Sequence, residues 1–367
     1  MNARLLGMLE PAQIYPPGAG HPSVQLLDVR APKEVAKGAL PNSVFEPILT
    51  NEERHLVGIC YKEQGQDAAI KLGYELTDKV MPERVERWRT ASQSAPTAVM
   101  CWRGGLRSRL AHEFTDIEGL ERVAGGYKAL RNYLMQQLEP TLNRKSPLIV
   151  TGLTGSGKTD FLTDVAADIK DVQVLDLEGE ANHRGSAFGV RGEQPSQQSF
   201  ENALAAQLVL SPAETVLLED ESHRIGSLFL PKPIWKEVRL SKVLWLESTL
   251  EERVSRIFED YVQTETRDFG FEATYTKLTT NVAKVRQRLG SAKVDDCLDT
   301  LDAARKAWLE PAAHQAWIET FLLDYYDPLY TKSVTDLNRE IAFRGDAEAC
   351  KAWLRGNEEI KDPKPKI

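Results

Sequence analysis

The 367-residue sequence has few cysteines, and its four thiols are widely spread with no CxxC pair among them. This spacing indicates neither a zinc site nor a disulfide framework. No uninterrupted apolar stretch reaches membrane-spanning length, and the N-terminus lacks the basic, apolar and small residues of a signal peptide. We therefore expect free thiols and a cytoplasmic location, with no membrane partner.

Basic residues are outnumbered by acidic ones, 46 to 54, which gives a net charge of −8. Residues 1–140 are balanced in charge, so the excess of acidic residues lies in the remainder. This distribution argues against a nucleic acid held by bulk electrostatics, and a polyanion must be met by local patches such as Arg103, Arg107 and Arg109. No internal repeat is present, and the length is sufficient for two domains.

The most informative stretch is 148–159, where a short apolar run breaks into a glycine-rich turn closed by lysine and threonine. Every fixed position of the phosphate-loop pattern is present. The glycines let successive N–H groups point at one anion, the lysine adds charge, and the threonine can hold a hydrated magnesium ion. The predicted phosphate-binding residues of this turn are Gly152, Gly155, Ser156, Gly157, Lys158 and Thr159.

Two further positions extend this predicted phosphate site. An apolar run ends in acidic residues, where Asp220 is the first choice and Glu219 the second for a carboxylate that holds the magnesium shell, although a plain acidic turn fits nearly as well. Mg²⁺ is thus a possible ligand, with Thr159 and Asp220 as its candidate contacts. Arg184 lies in a glycine-punctuated loop and is either a phosphate contact or a surface residue.

The chain divides into two parts at a polar, proline-containing segment. After that segment, apolar runs alternate with helical stretches, which predicts a parallel α/β sheet, and the end of the chain is predicted to be mostly helical. The expected divisions are a first domain at 1–138, a linker at 139–147, a phosphate-loop α/β domain at 148–264, and a helical part packed on that domain at 265–367.

A second chemical stretch begins at Cys101, after a predicted strand at 97–100. The glycine-containing loop and the helix that follows it should converge on the sulfur, and Arg103 and Arg107 add positive charge. These features favour a thiolate and an anionic reactant, so all three are candidate catalytic residues. Cys60 is a possible second thiol, although a buried structural cysteine is the better interpretation there.

Residues 24–130 resemble a rhodanese domain. The resemblance implies a loop cysteine that carries sulfur or selenium. The matching residues, whose order along the chain is informative, are Asp28-Val29-Arg30, Glu34, Gly38, Pro41, the loop 101–107 and Gly125-Gly126-Tyr127.

The joined chain resembles the bacterial tRNA 2-selenouridine synthase family over essentially its full length. Enzymes of that family replace the 2-thio sulfur of the wobble uridine with selenium from selenophosphate, and they attach a geranyl group from geranyl diphosphate to that sulfur. The resemblance therefore implies these two substrates and a tRNA anticodon arm carrying 2-thiouridine. The resemblance to this family is carried by the cysteine loop that begins at Cys101, by the phosphate loop 152–159, and by the segments 58–65, 183–189 and 219–226.

In the expected mechanism Cys101 serves the selenium step, either as a perselenide carrier or as the group that helps to expel the geranyl thiol. The loop 152–159 holds the phosphate end of a donor. Without the resemblance, the same parts fit an ATP-dependent sulfurtransferase that delivers persulfide sulfur from Cys101 to RNA or a small molecule. A noncatalytic module that senses oxyanions and nucleotides is a third interpretation.

Overall fold

The computed structural model describes residues 7–183, 193–329 and 339–356. These ranges contain two five-stranded sheets with all neighbouring strands parallel, and a helical region. No helix within these ranges is both long enough and apolar enough to cross a membrane. The predicted α/β class with a parallel sheet is confirmed.

The first half of the chain builds one sheet and the helices around it. Its elements are β1 Met8–Leu9, α1 Pro11–Ile14, β2 Gln25–Asp28, α2 Pro32–Val35, β3 Ser43–Phe45, α3 Asn51–Gln64, α4 Gln66–Thr77, α5 Met81–Ser92, β4 Thr97–Met100, α6 Leu106–Thr115, β5 Glu121–Val123 and α7 Gly126–Asn143.

The first sheet has the order β1-β5-β4-β2-β3. All four residues of β4 are buried, as its apolar sequence requires. Asp28, the last residue of β2, pairs with Met100, the last residue of β4. Because parallel strands end at the same edge of a sheet, the segment after Asp28 and the loop that starts at Cys101 leave the sheet side by side.

The second half builds the other sheet and the helical region. Its elements are β6 Ser146–Thr151, α8 Lys158–Asp168, β7 Val172–Leu175, α9 Leu177–Glu180, α10 Gln197–Leu210, β8 Thr215–Glu219, β9 Arg224–Ile225, β10 Leu228–Phe229, α11 Lys232–Leu240, β11 Lys242–Leu246, α12 Leu250–Phe258, a π-helix Glu259–Thr264, α13 Glu265–Phe269, α14 Phe271–Lys284, α15 Arg286–Leu289, α16 Ser291–Ala304, 3₁₀ turns Arg305–Ala307 and Pro311–Ala313, α17 Gln315–Thr320, a π-helix Phe321–Tyr326, β12 Ile341–Gly345 and α18 Ala347–Gly356.

The second sheet has the order β12-β11-β6-β8-β7. The chain visits β7 and β8 on one side of β6, and β11 and β12 on the other. The direction of winding therefore reverses at β6. In open parallel sheets the crevice at such a reversal, beyond the carboxyl ends of the strands, is where ligands bind. The glycine-rich loop follows β6 directly.

The predicted linker at 139–147 is mostly regular structure, which corrects that expectation. Helix α7 continues to Asn143, and β6 begins at Ser146, so only two residues lie between them. Leu134, Leu138 and Leu142 recur at helical spacing and are buried in the core, which holds the helix through its exposed Pro140.

The end of the chain is largely helical, and its aromatic residues Trp308, Trp317 and Phe321 form part of a separate buried cluster. It also contributes a strand that the sequence analysis does not predict. Strand β12 pairs in parallel with β11 at the edge of the second sheet, with Val243 opposite Ile341. A five-residue strand is too short to show a clear alternating pattern.

The two halves share one apolar core. Helix α7 packs along α10, and a single cluster of buried side chains contains Met100 and Leu134 from the first half together with Phe200, Leu204 and Ile149 from the second. The sheets are therefore fixed relative to each other by buried apolar surface.

Candidate active site

Three glycines shape the loop between β6 and α8. Gly155 and Gly157 have φ values of +78° and +82°, a region that side chains rarely adopt. A Cβ on Gly152 would lie 2.6 Å from both the Leu246 carbonyl oxygen and Ser156 Oγ. This backbone path therefore favours glycine at 152 and 157, the two glycines that the phosphate-loop pattern fixes, and also at 155.

Two hydroxyls in this loop are buried without a protein partner. Thr154 Oγ1 and Ser156 Oγ make no hydrogen bond to the part of the chain that the structure describes. Buried polar groups are nearly always bonded, so these orphans fit a ligand that brings oxygen atoms into the loop. Lys158 Nζ donates to the Gly152 carbonyl at 3.2 Å, which keeps its charge at the loop.

Several acidic side chains lie near Lys158. Burial lowers the pKa of Lys158, whereas Glu221, Asp220, Glu178 and Glu219 act to raise it. Burial, assisted by Glu178, raises the pKa of Glu219 to about 8 and that of Glu221 to about 9. These two carboxyls are therefore mostly protonated at neutral pH, which leaves the loop attractive to an anion.

Asp220 is already fully engaged by the protein. Its Oδ2 accepts a hydrogen bond from Thr151 Oγ1 at 2.6 Å, and the buried Arg339 donates to both carboxylate oxygens at 2.8 and 3.0 Å. Among the described residues no group of three or more His, Cys, Asp or Glu side chains is placed to hold a metal ion. Asp220 is therefore not free to act as a magnesium ligand in this arrangement, and we derive no step through a metal.

Two arginines of α12 brace the loop from outside. Arg253 is buried, donates from Nε to the Thr154 carbonyl at 2.8 Å, and forms a two-pronged ion pair with Asp327. Arg256 donates to the Gly155 carbonyl at 3.1 Å. Both arginines hold backbone carbonyls in position rather than standing in solvent.

The cysteine loop brings one sulfur to the start of a helix. Cys101 follows β4, is 3% exposed, and donates from Sγ to Ser108 Oγ at 3.3 Å. The Ser108 hydroxyl in turn donates to the Gly105 carbonyl at 3.1 Å. Because Ser108 is in the first turn of α6, the sulfur lies where the helix dipole favours negative charge.

The start of α7 packs against the cysteine loop and fixes its backbone. Gly126 has a φ of +62°, and any Cβ there would collide with the Cys101 carbonyl. The backbone N–H of Tyr127 donates to that same carbonyl at 2.9 Å, and the Tyr127 ring stacks on Trp102 with centroids 5.3 Å apart. The loop therefore has little freedom to change its path.

The two arginines predicted at Cys101 have different surroundings. Arg107 pairs with both carboxylate oxygens of Glu34 at 2.5 and 3.1 Å. Burial opposes the charge of Arg107, but Glu34 outweighs it and raises the Arg107 pKa, with a smaller contribution from Cys101. Arg103 is exposed and forms no ion pair with a described residue, so it presents its charge to solvent.

Comparison with known proteins covers both loops. A model of the tRNA 2-selenouridine synthase AAA domain matches residues 145–361. The tRNA 2-selenouridine synthase of Cupriavidus pinatubonensis is 41% identical over 351 residues, which cover 90% of this chain and 94% of that protein. Proteins of the same name from Cupriavidus necator and Shewanella halifaxensis are 40% and 39% identical, over 91% and 90% of this chain and 95% and 94% of their own.

The chain belongs to the tRNA 2-selenouridine synthase family.

In this member of the tRNA 2-selenouridine synthase family, Cys60 lies within α3 rather than in a loop. It is buried, but it is not among the side chains that pack around Cys101. This placement fits the structural interpretation of Cys60. Arg184, the other outlying prediction, lies outside the described residues.

Hydrogen bonds connect the cysteine loop to the phosphate-loop half of this family member. The Tyr127 hydroxyl donates to Gln198 Oε1 at 3.1 Å and accepts from Asn202 Nδ2 at 3.1 Å. Ser199 Oγ accepts from the Ala39 N–H at 2.9 Å. Helix α10 is therefore linked to the cysteine loop through Tyr127, whose ring stacks on Trp102.

Several residues of this site have no signal in the sequence. Arg339 and Asp327 lie in the part of the chain predicted to be mostly helical, and each forms an ion pair with a residue at the phosphate loop. Neither has a local signal, because each partner is more than 70 positions away. The loop motif itself is contiguous, which is why its sequence was sufficient to predict it.

Proposed function

We propose that this chain is a transferase that makes 2-selenouridine at the wobble position of tRNA. The observation that carries the proposal is the match to proteins named tRNA 2-selenouridine synthase across nine-tenths of the chain, which includes both the Cys101 loop and the phosphate loop. The substrates are an anticodon arm with 2-thiouridine, selenophosphate and geranyl diphosphate. The first half serves as a rhodanese-like domain, in keeping with its five-stranded parallel sheet and its cysteine at the end of β4.

The first step is geranyl transfer at the phosphate loop. The thiocarbonyl sulfur of the nucleoside attacks C1 of geranyl diphosphate, the carbon–oxygen bond breaks, and diphosphate leaves with the bonding electrons. The N–H groups of the loop and the Lys158 ammonium offset the charge that develops on diphosphate. The buried hydroxyls of Thr154 and Ser156 gain an acceptor when the diphosphate oxygens enter.

The second step is selenium entry beside Cys101. The selenium of selenophosphate adds to C2, the carbon–sulfur bond breaks, and geranyl thiol departs with a proton. Cys101 is the group that helps to expel this thiol: its Sγ–H, which otherwise donates to Ser108 Oγ, protonates the departing sulfur, and the proton that selenophosphate brings returns to Cys101. Water then cleaves the selenium–phosphorus bond and releases phosphate. Selenium stays at the selenide level throughout, so no oxidant is needed.

Mass spectrometry of wobble nucleosides tests the proposal. Cells that lack the gene should contain 2-thiouridine with neither the S-geranyl nor the selenium derivative, and the wild-type gene should restore both. Unchanged selenouridine in the deleted strain contradicts the proposal. If the purified protein instead hydrolyses a nucleotide, if tRNA stimulates this hydrolysis, and if no geranyl group is transferred, the result would support the ATP-dependent sulfurtransferase.

A further inference from the structure

An apolar cavity of about 340 Å³ lies beside the cysteine loop, between α6 and the helices α3, α4 and α5 that precede β4. Its walls include Val57, Ile70, Tyr74, Leu110 and Phe114. The volume is within the range of cavities that bind small molecules. The lining offers few polar groups, so the shape and chemistry suit a hydrocarbon better than a nucleobase, which needs hydrogen-bond partners.

A second cavity adjoins the first, and Leu49, Val57, Tyr61 and Arg107 line both spaces. Its wall is also largely apolar, but it carries the basic side chains of Arg54, Lys62 and Arg107. Arg54 and Arg107 share Glu34 as their ion-pair partner, so the basic side chains exceed the acidic one. An apolar compartment therefore opens beside a space with an excess of positive charge at its wall. This charge complements an anionic polymer that carries an apolar group.

The apolar cavity is also adjacent to the reactive sulfur. Cys101 belongs to the same buried cluster as Ile48 and Leu49, and Leu110 and Phe114 of the cavity wall pack against that cluster. Arg107 lines the cavity and immediately precedes Ser108, whose hydroxyl accepts from Cys101 Sγ. A ligand in the cavity is thus held next to the start of α6.

We propose that this cavity receives the geranyl chain of the S-geranylated nucleoside while selenium enters beside Cys101. The inference rests on the proposed function and assigns its second substrate a binding site. The chain occupies the apolar compartment, and the RNA phosphates lie along Arg54, Lys62 and the exposed Arg103. Burial of the hydrocarbon then makes the protein bind S-geranylated RNA more tightly than RNA with the unmodified nucleoside.

Binding measurements test this assignment. The probes are anticodon stem-loop RNAs that carry either S-geranyl or S-methyl 2-thiouridine, and fluorescence anisotropy gives their Kd values for the full-length protein. The wild-type protein should bind the geranyl RNA about tenfold more tightly, because only the longer chain buries extensive apolar surface. Equal binding of the two RNAs by the wild-type protein overturns the assignment.

A cavity-filling variant sharpens the test. A Cβ on Gly73 meets only Val57 Cγ2, at 3.9 Å, so Gly73→Phe can place a ring in the cavity without a backbone clash. It should abolish the preference for geranyl RNA and leave S-methyl RNA binding unchanged. The matched control is Lys71→Phe on the same helix, at a side chain that is 79% exposed and lines neither cavity.

A second variant provides a test of the cavity that remains valid if Gly73→Phe does not fold. Tyr74 is 45% exposed, so Tyr74→Ser should fold and should also weaken the preference for geranyl RNA. Retention of the full preference in both Gly73→Phe and Tyr74→Ser overturns the assignment. Impaired transfer from geranyl diphosphate with an intact RNA preference assigns the cavity to the other donor and also overturns it.

These outcomes are separable from failure of the proposed function. If the wild-type protein makes neither S-geranyl nor selenium-containing nucleoside from 2-thiouridine RNA, the proposed function fails, whatever the binding data show. If it makes both products but Gly73→Phe selenates S-geranyl RNA with an unchanged KM, only the cavity assignment fails.

Discussion

Tyr127 and Gln198 join the two halves of the molecule, since the Tyr127 hydroxyl donates to Gln198 Oε1 at 3.1 Å while the same ring stacks on Trp102 of the cysteine loop. The Arg30 guanidinium lies over the same ring, 3.8 Å from its centroid, and is 6.0 Å from the centroid of Trp102. One aromatic side chain therefore contacts the cysteine loop, the end of β2 and helix α10 at once.

The variant Tyr127→Phe tests how much this junction contributes. It keeps the stacked ring but removes a buried hydroxyl, which leaves Gln198 and Asn202 short of a partner. We expect a loss of about 1–3 kcal/mol of stability, measured as a lowered thermal midpoint. Tyr133→Phe is the control, because that hydroxyl makes one hydrogen bond at a partly exposed site. Equal effects of the two variants would contradict the expectation.

Replacing the reactive sulfur should separate the two steps. Cys101→Ala should reduce selenation of S-geranyl RNA to background, while geranyl transfer stays within about twofold of the wild-type rate. Liquid chromatography of digested RNA measures both products. Cys297→Ala removes an equally buried thiol from the helical region and should spare both steps. Loss of both activities in Cys101→Ala would refute the division of labour.

Removing the lysine of the phosphate loop should have the opposite effect. Lys158→Ala should slow geranyl transfer by about 10²–10³-fold, because charge on the departing diphosphate is no longer offset. Selenation of RNA that already carries the geranyl group should continue. Lys170→Ala, at an exposed lysine just beyond α8, is the control. Unchanged geranyl transfer in Lys158→Ala would remove the loop from this step.

The protonated carboxyls at the loop predict a pH dependence. Burial raises the pKa of Glu219 to about 8 and of Glu221 to about 9, so both lose protons as the pH rises from 7 to 9. The new negative charges lie near Lys158, and the affinity for diphosphate should fall over this interval. Calorimetric titrations of the wild-type protein and of Glu221→Gln with diphosphate measure this affinity at each pH. The affinity of the variant should fall less steeply as the pH rises. A rise in wild-type affinity contradicts the assignment.

The ion pair between Arg253 and Asp327 should contribute more to the free energy of unfolding than an ion pair exposed to solvent. Arg253→Met leaves Asp327 without its partner at a largely buried site and releases the Thr154 carbonyl, so we expect a loss of about 3–5 kcal/mol. Diphosphate affinity should fall as well. Arg267→Met breaks a solvent-exposed pair with Asp268 and should change stability by less than about 1 kcal/mol. Thermal unfolding with and without diphosphate compares them.

The sequence was most informative where the relevant residues are contiguous. The turn at 152–159 and the loop at Cys101 both follow apolar strands directly, so local pattern and chemistry were sufficient to place them. Four of the five strands of the second sheet were predictable for the same reason, whereas β12 was not. Prolines at the domain junction were misleading, because the buried leucines of α7 outweigh the effect of one exposed proline.

Long-range partners could not be predicted from one sequence. Asp220 looked like a free carboxylate at a strand end, yet it binds Arg339, which lies 119 positions later. Arg253 likewise holds the loop backbone and Asp327, which lies 74 positions later. Such pairings depend on how the helical region folds back over the second sheet, and this has no signature in residue spacing.

The continuous core between the sheets has a consequence for how the RNA is handled. Because Leu134 and Phe200 belong to one dry interior, swinging the halves apart would expose apolar surface to water. The two halves are therefore held in a fixed arrangement, so in the proposed mechanism the anticodon nucleotide itself has to move between the site of geranyl transfer and the site of selenium entry.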